Sequence, residues 1–239
     1  KKVSLGMERI SIPMMKADLQ NMDMLLREKE LYLSMTRVEL RISEGLLDLS
    51  SKFLQQLVKL ESLTVDFVEL FPQEQLLSFI DSIIKISPKK LQIRFVVDPK
   101  PKLAKIICLA LDRLKEMSSL NSLGLLIHSL DRTMPTPSHK ISIDGEKLVD
   151  KITEFLFCTK ELRELSLELK IQVSKGPDCT NLYLAIGHLA DLKGLNLGIT
   201  FQDVENENNP LIRTHKLQTF NLLSAVLSKL PHLNNLTYY

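Results

Sequence analysis

A single leucine spacing constrains this chain more than any other feature. Leu60-x-x-Leu63-x-Val65, Leu120-x-x-Leu123-x-Leu125, Leu162-x-x-Leu165-x-Leu167, Leu192-x-x-Leu195-x-Leu197 and Leu233-x-x-Leu236-x-Tyr238 all carry it. Self-similarity at a period of roughly 20 to 30 residues means a chain built by stacking units, none of which buries its apolar face without a neighbour. The core that results is aliphatic, since Trp is absent and aromatic residues make up only 5% of the 239 positions.

Each copy alternates apolar and other residues over four to six positions, the period of a strand with one buried face. Most copies are followed by apolar residues at helical spacing, so the unit reads as strand then helix. After Val38-x-Leu40-x-Ile42 a helix is expected over Gly45 to Leu60, capped by Ser43. After Leu63-x-Val65-x-Phe67 one is expected over Pro72 to Ile86, with Pro72 in the first turn. Further helices are expected over Lys102 to Met117, Glu146 to Phe157, Thr180 to Ala190 and Asn221 to Leu230. The phase of the strands is marked by Val38, Leu63, Leu91, Leu123, Ile141, Leu165, Leu195, Leu217 and Leu236. The shortest interval, Leu123 to Ile141, contains Met134-Pro135-Thr136-Pro137 and reads as an extended loop. Lys16 to Leu33, preceded by Pro13, has the pattern of a helix.

On these copies the chain resembles the leucine-rich repeat family, in its longer, helix-containing, ribonuclease-inhibitor-like form. The resemblance implies an α/β solenoid: a curved parallel sheet with helices on the convex side, spanning residues 35–239, with 1–34 as a helical cap or the end of a preceding repeat. The chain departs from that family three positions after the last motif leucine, where Asn or Cys should stand. Lys170, Thr200 and Val68 occupy those places, so irregular repeats are expected. The sequence opens on Lys1 and stops at Tyr239 inside a strand pattern, as a portion of a longer chain would.

If the leucines point inward, the alternating residues face the concave side. These are Glu39, Arg41, Thr64, Asp66, Gln92, Arg94, Ser142, Ser166, Glu168, Lys170, Asn196 and Thr200. Their mixture of both charge signs with hydroxyl groups suits a polar protein surface, and the family resemblance implies that such a face grips other proteins. The leading expectation is a non-catalytic interaction or scaffold subunit of a larger assembly, with other protein subunits as partners. The alternative is a nucleic-acid or ribonucleoprotein-associated subunit using the basic segment 85–115, in particular Lys89, Lys90, Lys100, Lys102 and Lys105.

Other chemistry finds no anchor. The five histidines lack i, i+4 spacing, and the three cysteines, Cys108, Cys158 and Cys179, are scattered, so neither a metal site nor a disulfide framework is expected. Cys108 and Cys158 sit among apolar neighbours and read as small hydrophobes, whereas Cys179 reads as a loop residue. No glycine-rich phosphate loop and no G-x-S-x-G occurs, so no enzyme and no cofactor is expected. No apolar run reaches the roughly 18 residues of a membrane span. With a formal charge of only +2, the expectation is an intracellular, cytoplasmic protein without global attraction to polyanions.

Overall fold

The computed structural model describes residues 10–13, 36–42, 47–69, 71–96, 103–129, 144–173, 177–203 and 221–238. Eight strands form one sheet in strictly sequential order: β1 (Ile10–Pro13), β2 (Arg37–Ile42), β3 (Ser62–Phe67), β4 (Lys90–Val96), β5 (Ser122–Ser129), β6 (Glu164–Val173), β7 (Gly194–Asp203) and β8 (Asn235–Tyr238). Every pairing is parallel. Between them lie α1 (Leu47–Leu54), α2 (Gln73–Ile86), α3 (Leu103–Leu114), α4 (Gly145–Cys158), α5 (Thr180–Gly187) and a helical stretch α6 over 221–227. From α1 to α5 each helix packs on the next in chain order. This α/β architecture, a parallel sheet with alternating helices, fits a solenoid-like arrangement.

Register shows why the leucine spacing produces it. Val38, Leu63, Leu91, Leu123, Leu165, Leu195 and Leu236 are successive partners across seven strands. Two residues on, Leu40, Val65, Ile93, Leu125, Leu167, Leu197 and Tyr238 form a second row. All of these up to β7 are buried and join one continuous apolar core with the helices. Because side chains alternate across a strand, a slip of one residue would expose an entire row, so the leucines lock the register. Phe67 anchors the second and third units, stacking on Phe95 at 5.0 Å between centroids and meeting Phe71 and Phe79 edge-on.

The repeat extends further back than the motif. Leu57, Met117, Thr159, Leu189 and Leu230 each precede the first motif leucine by three positions, all are buried, and each receives or closes the last helical turn. All five donate a backbone N–H to the carbonyl of the residue three before, as Leu57 does to Leu54 O at 3.0 Å. The strands then begin on a backbone ladder in which one carbonyl accepts from two successive N–H groups of the next strand. Thr36 O takes Glu61 and Ser62, Asn121 O takes Arg163 and Glu164, and Arg163 O takes Lys193 and Gly194. Main-chain groups satisfy one another at these turns without a side-chain cap.

Helix ends follow ordinary capping chemistry. Asp144 caps α4 by accepting from Lys147 N at 3.1 Å. Pro72 stands one position earlier than expected, at the N-cap of α2, where its carbonyl accepts from Leu76 N. Ser87 closes α2 in the left-handed region at φ 53, a costly conformation for a non-glycine residue. Ser119 holds it there, donating to Ser87 O at 3.1 Å with the two hydroxyls 2.6 Å apart.

Several expectations need correction. Ile141 and Leu217, expected to mark rungs of their own, lie outside the described residues; in the sheet Leu123 pairs directly with Leu165 and Leu195 directly with Leu236. Strand β1 was not legible beforehand, since only four residues pair with β2 and no motif leucine precedes them. The α1 helix begins at Leu47 among the described residues, and the Gly45 start, the 16–33 helix and the 134–137 loop lie outside them. Lys170 and Thr200, where Asn or Cys was missing, lie within ten-residue strands, so the chain runs straight on there and has no turn for such a side chain to hold.

Candidate functional site

The strand residues that alternate with the leucines form registered rows on the face opposite the helices. Glu39, Thr64, Gln92, Gly124, Ser166, Asn196 and Thr237 make one row. The next comprises Arg41, Asp66, Arg94, Leu126, Glu168 and Gly198, and a third holds His128, Lys170 and Thr200. Most of these side chains are partly exposed, and no described helix covers them. Eleven of the twelve residues singled out from the sequence therefore share this face; Ser142 lies outside the described residues.

Two charge clusters stand on it. On β2 to β4, Arg94 Nη1 donates to Asp66 Oδ2 at 3.3 Å and lies 4.0 Å from Glu39 Oε1. Burial pushes the Asp66 carboxyl above the usual aspartate range, and the adjacent Arg94 offsets this only in part. Asp66 Oδ1 and Arg94 Nε are buried without a hydrogen bond, so the pair is only half satisfied. On β5 and β6, Lys170 Nζ donates to Glu168 Oε1 at 2.6 Å. His128 Nε2 lies 3.1 Å from the same oxygen, within ion-pair reach, but is not aligned to hydrogen-bond.

Between the clusters and the strand starts runs an open groove of about 420 Å³. It crosses β3 to β8, and its lining includes Thr64, Gln92, Ser122, Gly124, Ser166 and Asn196. Asn196 Nδ2 donates to Ser166 Oγ at 3.1 Å. Lys90 and Glu164 also line the groove, paired at 3.5 Å across β5. Sequence reasoning missed Gly124, Leu126 and His128, because the Leu123-Gly124-Leu125-Leu126 run hides the alternation. The parity set by Leu123 and Leu125 was the signal that assigns them to this face.

Among the described residues of the basic segment, the lysines sit on different elements with different partners. Lys89 pairs with Glu61 at 3.3 Å at the strand starts, and Lys105 is exposed on α3 in the helical layer. Lys115 bridges Asp112 and Glu154 at 2.8 and 3.0 Å. Lys100 and Lys102 lie outside the described residues.

The cysteines divide differently from their sequence surroundings. Cys158 is exposed at the end of α4, not a core hydrophobe, because its position falls on the outer side of the helix. Cys179 packs partly against the core instead of standing free in a loop, and burial raises its thiol to about 12. Cys108 is buried as expected, its thiol raised to about 11 by the same cause. Among the described residues no group of three His, Cys, Asp or Glu side chains could hold a metal ion, and no helix is long and apolar enough to cross a membrane.

No family model matches this chain, and no curated protein matches it.

Proposed function

We propose that this protein is a non-catalytic interaction subunit, a leucine-rich-repeat-like solenoid that docks another protein on the helix-free face of its sheet. The observation that carries this reading is the run of registered polar side chains across six strands, lying open beside an apolar core that the helices seal. A rigid parallel sheet holds such side chains at fixed spacing, so a partner meets a preorganised surface and little ordering cost remains on this side of the interface.

The test is purification from the native source with identification of co-purifying chains, repeated with Ser166→Phe and Arg94→Glu. The expected result is a protein partner that both substitutions release while the circular-dichroism spectrum is unchanged. A protein that emerges alone and monodisperse, or a partner indifferent to both substitutions, would sink the reading.

A further inference from the structure

We infer that the groove on the helix-free face takes an extended, uncharged, polar peptide segment of about seven residues, rich in Ser, Thr, Asn and Gln. The inference rests on the docking reading above and names the chemistry of what docks.

Length comes from the strands. The groove crosses β3 to β8, six strands and five gaps. At about 4.8 Å per gap it is about 24 Å long, the span of about seven residues of extended chain at 3.3–3.4 Å each. A segment lying across the strands presents alternate side chains to the groove, three or four in all.

Charge sets the chemistry. Thr64, Gln92, Ser122, Ser166, Asn196 and Thr237 line the groove with neutral hydroxyl and amide groups. Among the described residues its only charged lining groups, Lys90 and Glu164, face each other at 3.5 Å and cancel. An acidic or a basic segment would bury its charge against neutral groups or break that pair, and gains no counterion for doing so. Hydroxyl and amide side chains meet donors and acceptors of their own kind. Asn196 and Ser166 illustrate such pairing within the lining itself, where Asn196 Nδ2 donates to Ser166 Oγ at 3.1 Å.

Other ligand classes fit less well. Phosphate-bearing strands need unpaired cations, and the described lining residues supply none. Sugars favour an aromatic platform, and no aromatic residue is among the described lining. Small-molecule sites are mostly apolar and enclosing, whereas this lining is polar and open. The steric key is Gly124, where an added Cβ would sit 2.8 Å from Gln92 Cγ. The missing side chain leaves room for Gln92 to lie across β5 and form the floor.

Three fluorescein-labelled nine-residue peptide libraries test the proposal by anisotropy on the full chain: one randomised over Ser, Thr, Asn, Gln and Gly, a second with Asp and Glu added, a third with Lys and Arg added. The neutral library should bind at least tenfold more tightly than either charged one. Ser166→Phe, with an unchanged thermal melt, and, as a second variant, Gly124→Phe, whose side chain displaces Gln92 from the floor, should each weaken it at least tenfold. Preference for a charged library, binding indifferent to both variants, or no binding by any library each overturns the proposal. If the native partner is lost on Ser166→Phe but contacts the groove through a charged segment, this inference fails and the docking reading stands. If no protein partner exists, both fail.

Discussion

Along β6, Leu165, Leu167 and Leu169 are buried under the helices, while Ser166, Glu168 and Lys170 alternate with them on the open side. The two faces obey different rules. On the covered face an apolar residue, most often Leu, Ile or Val, recurs in every row from β2 to β7, so each unit is stabilised by its neighbours through similar contacts. On the open face one row runs Arg41, Asp66, Arg94, Leu126, Glu168, Gly198, with no two adjacent positions alike in charge and size. Uniformity on one side builds the stack, and variety on the other gives each place on the surface its own chemistry.

Leu167 and Ser166 provide the sharpest break of that comparison. Leu167 is 1% exposed between Leu125 and Leu197, and Leu167→Ala should lose about 2–5 kcal/mol through transfer and cavity terms. Ser166→Ala, one residue away, should stay within about 0.5 kcal/mol. Urea titration of both variants measures the difference; similar midpoints would show that the faces are not energetically distinct.

Arg94 tests how far the open face is electrostatically tuned. Arg94→Met leaves the half-buried Asp66 carboxylate without its main partner and should cost about 1–2 kcal/mol at neutral pH. The folded-state pKa of Asp66 already lies above its ordinary value through burial, and losing Arg94 raises it further. A raised carboxyl favours the folded state while protonated, so this contribution is present below the unfolded pKa and is lost as pH rises through the folded one. The deficit of the variant should therefore shrink when melts are recorded near pH 4 instead of pH 8. A deficit that grows on acidification would contradict the burial assignment.

The helical layer carries its own, weaker electrostatics. Glu154 accepts from Lys151 and Lys115, and both hold its carboxyl below the usual glutamate range. Lys115 likewise lowers Asp112. Depressed carboxyls stabilise above their unfolded pKa, and that help is lost as pH falls through the folded value. Because the network is solvent-screened, Glu154→Gln should cost less than about 1 kcal/mol at pH 7 and nothing in acid. Comparison of thermal melts at low and high salt separates this from a packing effect, since only the charge contribution fades with salt.

The smallest effect is chemical. Iodoacetamide at pH 8 should label the exposed Cys158 first, while Cys108 and Cys179, with thiols held near 11 and 12, react only on unfolding. Mass spectrometry of a time course shows the order, and early labelling of Cys179 would mean that its loop opens readily.

The repeating leucines determined most of the fold on their own. Their spacing specified strand-then-helix units, located seven of the eight described strands and put eleven residues on the open face where register places them, because period-two alternation reports a one-sided sheet directly. Adjacency was beyond them. That β5 pairs with β6 depends on which apolar rows close against each other over long separations. That Cys158 faces out, and that Glu168 gathers Lys170 while His128 comes within 3.1 Å, likewise follow from register and helix phase. The spacing of leucines selects the stack; only the assembled stack brings side chains from distant repeats within hydrogen-bonding distance, and those contacts make the surface specific.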